Sequence, residues 1–329
     1  MITTALTEMF ALEHPLVLGP MGDVSGGHLA AAVSNAGGLG LVGGGYGDPA
    51  WLRRELSRAK EETTKPWGGA GLITWSVSAD VVELVLGYRP HAVMLSFGDP
   101  RPHAALIKAA GCRLLCQVQD LAGARLAREA GADIIVAQGT EAGGHGGGRS
   151  ALPLVPAVAD AVAPIPVVAA GGIADGRGLA AALMLGAHGA LIGTRFYASE
   201  EALGRDRAKQ RIAAAHGDDT ARTTVFDIVR VLGWPAPYTG RALRNRFLDR
   251  WQGRERELTS ALDIERAAYQ TAAGNGDHDT AVIWAGEAVD LIPSVERADQ
   301  LVRRISAEAE ACLTLGGRLL QQQAGEPPQ

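Results

Sequence analysis

Apolar runs of four to six residues recur along the chain, at 15–18, 39–42, 69–74, 92–97, 113–118, 133–136, 166–170 and 189–194. Apolar positions within them are continuous rather than alternating, which predicts strands covered on both faces. Between the runs, apolar residues are spaced three and four apart. That spacing predicts helices over 29–35, 49–62, 79–86, 102–110, 120–130 and 176–185. Pro49 stands in a first helical turn, where its missing N–H costs nothing. Eight strand units in series predict an α/β chain closed into a (β/α)8 TIM barrel. An open, doubly wound sheet is the alternative. No Gly-x-Gly-x-x-Gly follows the first strand, which argues against it.

The pattern changes after Thr194. Residues 199–276 are charged and read as helical with no further strand–helix repeat, a helical insertion after strand eight. Asp290-Leu291-Ile292-Pro293 punctuates the chain, and 294–315 reads as one long amphipathic helix with Ser294 as its N-cap. The expected division is a cofactor-binding barrel over 1–198, a helical substrate or lid segment over 199–289, and a return helix packing on the barrel over 290–320. The polar tail 321–329 is expected to be disordered.

Composition narrows the partners. The 329 residues are 47% hydrophobic, with a formal net charge of -5 and no long basic block. This argues against nucleic acid or an anionic membrane surface as partner. No apolar run reaches the ~20 residues that span a bilayer, and no signal-peptide pattern opens the chain. A cytoplasmic protein acting on a small molecule is expected, and a homo-oligomer is compatible with the sequence. Cys112, Cys116 and Cys312 are too few for a disulfide framework, and the first two read as small core residues.

The 43 glycines cluster where strands end. Barrel active sites form at the C-terminal strand ends. Four glycine-rich ends would meet there, at 19–22, 138–148, 170–172 and 193–194. Loops after strands seven and eight often hold a phosphate on backbone N–H groups, which selects Gly171, Gly172, Gly193 and Thr194. His145 lies within the longest glycine-rich stretch. It reads either as a proton-exchanging group or as an exposed loop histidine. Glu141 is a base or a structural carboxylate, and Arg195 a phosphate partner or a structural cation. Trp75, Trp234 and Trp284 line an apolar pocket or pack a core. The remaining histidines lack ligand spacing, so no metal site is expected.

Gln138, then Glu-Ala-Gly-Gly-His at 141–145, then 169–178 (Ala-Ala-Gly-Gly-Ile-Ala-Asp-Gly-Arg-Gly) and 192–196 (Ile-Gly-Thr-Arg-Phe), resemble the nitronate monooxygenase family. That family was formerly called 2-nitropropane dioxygenase and includes related enoyl reductases. Gly19-Pro20-Met21, residues 34–40 and Trp284-Ala285-Gly286 carry the same resemblance. It implies an FMN-binding flavoprotein barrel without a metal. FMN phosphate would lie on Gly171, Gly172, Gly193 and Thr194, and the flavin ring near Pro20, Met21, Gln117, Gln138 and Gly143. Gly71 stands where relatives often have Asn, and Ala170 where some have Ser, so each implies a lost hydrogen bond. His145 falls on the family's active-site histidine. The implied activity is oxidation of alkyl nitronates by O2 to carbonyl compounds and nitrite. NAD(P)H-dependent flavin reduction of an enoyl thioester or quinone is the alternative. A non-enzymatic barrel that binds a phosphate metabolite is a third reading.

Overall fold

Eight parallel strands form one sheet in the computed structural model, which describes residues 2–321, with side chains through residue 318. They are β1 (Leu16–Leu18), β2 (Val42–Gly45), β3 (Gly68–Ile73), β4 (Ala92–Ser96), β5 (Arg113–Val118), β6 (Ile134–Gln138), β7 (Val167–Ala170) and β8 (Ala190–Ile192). Each strand from β2 onward pairs with the next, and β8 pairs with β1. The last gap is closed where Leu39 donates to the Leu16 carbonyl and accepts from the Leu18 N–H, both at 2.9 Å. Closure leaves the barrel no free edge.

That closure displaces the second strand from its expected place. Leu39 turns back to β1, and the regular ladder with β3 starts only at Val42. Between them Gly40 passes against helix Gly27–Asn35, where a Cβ would lie 1.9 Å from the Ala30 carbonyl oxygen. Besides the short helix Thr194–Tyr197, two helices are absent from the sequence reading. Ala5–Phe10 plugs the N-terminal end of the barrel, where Thr4 Oγ1 donates to the His188 carbonyl at 2.7 Å. Ala151–Val162 joins β6 to β7, its period blurred by Pro153 and Pro156.

Two apolar layers hold the barrel. Inside, Val17, Leu41, Met94, Leu115, Ile134, Val136 and Val168 pack over Leu6 and Phe10. Outside, strand residues such as Leu16, Leu114 and Ile135 share one apolar layer with helix residues such as Leu29, Val33, Ala124 and Val155. Each fully buried aliphatic side chain contributes about 1.5–3 kcal/mol.

The insertion after β8 carries helices at Asp206–Ala213, Val225–Arg230, Arg246–Trp251, Glu255–Ser260 and Leu262–Asn275. It also carries two strands, Thr220–Thr223 and Thr239–Leu243, where only helix was expected. They are polar and short, so no apolar run announces them. With Gly144–Gly146, beyond β6, they form an antiparallel three-stranded sheet. The return helix spans Ala298–Gln321 and packs Leu301, Val302 and Ile305 into the outer layer. Ser294 does not cap it: its hydroxyl donates to Glu296, and Glu201 Oε2 accepts the Ala298 N–H at 2.9 Å. Beyond Gln321, the tail expected over 321–329 lies outside the described residues. Among the described residues, no helix is long and apolar enough to cross a membrane.

Candidate active site

A cavity of about 760 Å³ opens at the C-terminal ends of the strands. Pro20 and Met21 after β1, Gly71 in β3, Gln117 in β5 and Gln138 in β6 all line it. So do Gly143, His145, Ala170, Gly171, Gly172, Gly193 and Thr194. One space therefore collects every residue that the sequence singled out for a cofactor, together with the candidate histidine.

The end nearest β7 and β8 is built of backbone. Gly171 and Gly172 adopt φ of 98° and 73°, left-handed values that favour glycine. Among the described residues, their N–H groups and that of Gly193 make no close hydrogen bond to a protein acceptor. Thr194 opens the short helix Thr194–Tyr197, so its own N–H has no intrahelical acceptor. Unpaired amides gathered in one cavity suit an anion, and their chemistry fits a phosphate. The Thr194 hydroxyl oxygen accepts from the Gly286 N–H at 3.0 Å, which still leaves its O–H to donate. At Gly71 the absent side chain has a physical reason: a Cβ would lie 2.2 Å from Cγ of Pro20, whose ring fills that space.

Three buried glutamines join β5 and β6 to the histidine loop. Gln138 Oε1 accepts from Gln117 Nε2 at 3.2 Å and from Gln119 Nε2 at 2.9 Å. Gln138 Nε2 in turn donates to the His145 carbonyl at 3.0 Å.

His145 is not an exposed loop residue: it is half-buried overall, and its side chain is only 8% exposed. Its backbone is the middle of Gly144–Gly146, paired to Gly240 of the insertion. Its Nε2 lies 2.9 and 3.0 Å from the two carboxylate oxygens of Asp227, on helix Val225–Arg230. The Trp234 indole stacks on the imidazole, with centroids 3.5 Å apart and planes 5° apart. Trp284 tilts against the same ring at 5.0 Å. Trp234 is itself fixed, since its Nε1–H donates to Tyr46 Oη at 2.8 Å. Burial pushes the Tyr46 phenol above its ordinary range, so that oxygen stays protonated at neutral pH. Trp75, Phe97 and Tyr238 pack edge-on around these rings. Trp234 and Trp284 thus line the cavity, while Trp75 packs edge-on against Trp234 from outside the lining.

Two other candidates take structural places. Glu141 accepts the Ala151 N–H on both oxygens, at 2.9 and 3.0 Å, and caps helix Ala151–Val162. Arg195 is fully buried and donates to the carbonyls of Ala198 and Ser294, at 2.7 and 2.5 Å. Burial lowers its guanidinium to about 10. It ties the return segment to the barrel and does not line the cavity. Arg222 and Arg241, from the insertion strands, both donate to the Thr140 carbonyl at 3.0 Å and so brace the loop that leads to His145. Burial first, then the like charge of Arg241, brings Arg222 down to about 10.

Sequence reasoning missed Asp227, Gln119, Arg222 and Arg241. For Asp227 a signal existed: one carboxylate inside the otherwise apolar turn Val225-Phe226-Asp227-Ile228-Val229. A charge there is exposed or it has a buried partner.

A closed barrel with an amide concavity and a buried imidazole on one cavity defines a barrel enzyme whose active site sits at the strand C-termini. The chain belongs to the nitronate monooxygenase family, whose model matches residues 3–81 and 70–308, and is an oxidoreductase. Enzymes of this family are generally flavin-dependent, and membership supports nitronate oxidation in general. The chain is 38% identical to nitronate monooxygenase npaC of Metarhizium robertsii, over 92% of this chain and 93% of that one. FabK from Thermotoga maritima superposes with a TM-score of 0.86 at 33% identity, covering 97% of this chain and all of that one. Nitroalkane oxidase from Streptomyces ansochromogenes superposes at 0.82 with 29% identity, covering 95% of this chain and 99% of that one.

Proposed function

We propose that the protein is an FMN-dependent oxidoreductase that oxidises alkyl nitronates with O2 to carbonyl compounds and nitrite. The observation that carries this reading is one cavity holding both free amides at Gly171, Gly172 and Gly193 and the buried His145. The amides would hold the FMN phosphate, and Gln117, Gln138, Pro20, Met21 and Gly143 would surround the ring. Bound FMN supplies the redox chemistry, taking electrons from the substrate and passing them to O2. His145 holds the nitronate anion, or takes the α-proton of a neutral nitroalkane. Trp234 and Trp284 keep water from that atom, and the segment 199–289 serves as a lid over the substrate.

The test starts with the absorption spectrum of the purified protein, where an FMN spectrum is expected. Anaerobic mixing with propyl nitronate should bleach it. His145→Asn should retain FMN and lose most turnover, and unchanged kcat/KM would remove His145 from the mechanism. The likeness to FabK supports a second reading, NAD(P)H-dependent reduction of an enoyl thioester or quinone. The exposed rings of Tyr46, which lines the cavity, and of Trp75 beside it would give a planar co-substrate a stacking surface. Rapid bleaching by NADH, with none by propyl nitronate, would select it over the first.

A further inference from the structure

Taking His145 as the group that meets substrate, we infer that Asp227 is its positioning residue. Asp227 fixes the imidazole as the Nε2–H tautomer and leaves Nδ1 as the atom that accepts the substrate proton. Both Asp227 oxygens lie within 3.0 Å of Nε2. An ionised carboxylate only accepts hydrogen bonds, so Nε2 must carry the proton. Among the described residues, His145 is the sole hydrogen-bond partner of the Asp227 side chain, and that side chain is 5% exposed. A buried carboxylate served by one imidazole is costly unless the imidazole at times carries charge.

The ring has one stable orientation. A half-turn about Cβ–Cγ would bring Cε1 toward Asp227 and forfeit both hydrogen bonds. The Trp234 stack at 3.5 Å and the Tyr46 hydrogen bond to that indole hold the plane. Among the described residues Nδ1 has no hydrogen-bond partner, and it belongs to a residue that lines the cavity. With a neutral nitroalkane, the α C–H bond breaks and its proton passes to Nδ1. The electron pair stays on the substrate as nitronate, and Asp227 balances the new imidazolium charge without taking a proton. A substrate supplied as nitronate needs no such transfer.

The experiment has two readouts on the flavin-loaded protein. The first is long-range 1H–15N NMR of histidine-labelled protein, with His145 assigned by its loss in His145→Asn. A pyridine-type Nδ1 and a protonated Nε2 are expected; the opposite tautomer overturns the inference. The second compares nitroethane with ethyl nitronate in Asp227→Asn. Loss of the oriented tautomer should cut kcat/KM for nitroethane by more than about 100-fold, by the logic of carboxylate–imidazole pairs. It should cut that for ethyl nitronate less than about tenfold, because no proton transfer to the base is needed there. Asp227→Glu should recover part of the nitroethane loss and the tautomer signal. Equal losses on both substrates, or no loss, overturn the inference. A wild-type protein that oxidises neither compound sinks the proposed function instead, and the NMR readout still decides the role of Asp227.

Discussion

At the scale of single residues, the cavity depends on where side chains are missing. Gly71 is an example: an added Cβ collides with the Pro20 ring at 2.2 Å. Gly71→Ala is expected to cost about 1–3 kcal/mol, as overpacking does, and to lower flavin content with it. Urea denaturation and the flavin-to-protein absorbance ratio would check this, and wild-type values on both would refute it. The cysteines give a second prediction. Burial pushes the Cys112 and Cys116 thiols up to about 12, so neither forms the reactive thiolate at neutral pH. A thiol reagent should therefore modify at most Cys312 in the native protein and all three cysteines in denaturant. Native reaction of Cys112 or Cys116 at the unfolded rate would contradict the burial argument. The glycine-rich strand ends and His145 were legible in the sequence because strand-end glycines have fixed places in a barrel. Asp227 was not, because its meaning lies in a partner 82 residues away.

Among the elements, those with a strong period were read nearly residue for residue, such as helix Pro49–Glu62 and strand Arg113–Val118. Those defined by a distant partner were not. Gly144–Gly146 has no β-forming side chain to announce it and exists through pairing with Thr239–Leu243. The start of helix Ala298–Gln321 was misplaced for the same kind of reason, since its capping carboxylate comes from Glu201, not from Ser294. Glu201→Ala should then destabilise the protein by about 0.5–2 kcal/mol, the range for losing an N-cap, while Ser294→Ala costs less. Thermal denaturation of the two variants would check the order, and a larger loss for Ser294→Ala would reverse the assignment.

For the whole molecule, pH is the accessible probe. Burial, its largest cause, lowers the imidazole of His14 below 6.5. Burial also lowers His278, followed by the charges of Arg211, Arg207 and Arg205. The unfolded chain therefore takes up protons on these groups before the folded one does. Their contribution to stability is complete above pH 6.5 and is lost as pH falls through the lowered folded values. Tm should decline as pH is taken from about 7 to about 5, and His278→Asn should flatten part of that decline, by the same linkage. A wild-type Tm that stays level over this window, or an unchanged slope in the variant, would contradict the linkage.

The shared three-stranded sheet has a consequence for how such proteins diverge. Side chains on a strand alternate between faces, so a one-residue slip of Thr239–Leu243 against Gly144–Gly146 would put the insertion's side chains on the wrong face beside His145. The insertion that lines the pocket and the loop that carries His145 are therefore expected to be inherited as one piece. A chimaera that transplants the insertion alone onto another barrel would carry a foreign register into the host's histidine loop. New specificities in this architecture are expected to arise by point changes around Trp234 and Trp284 more readily than by exchange of the whole segment.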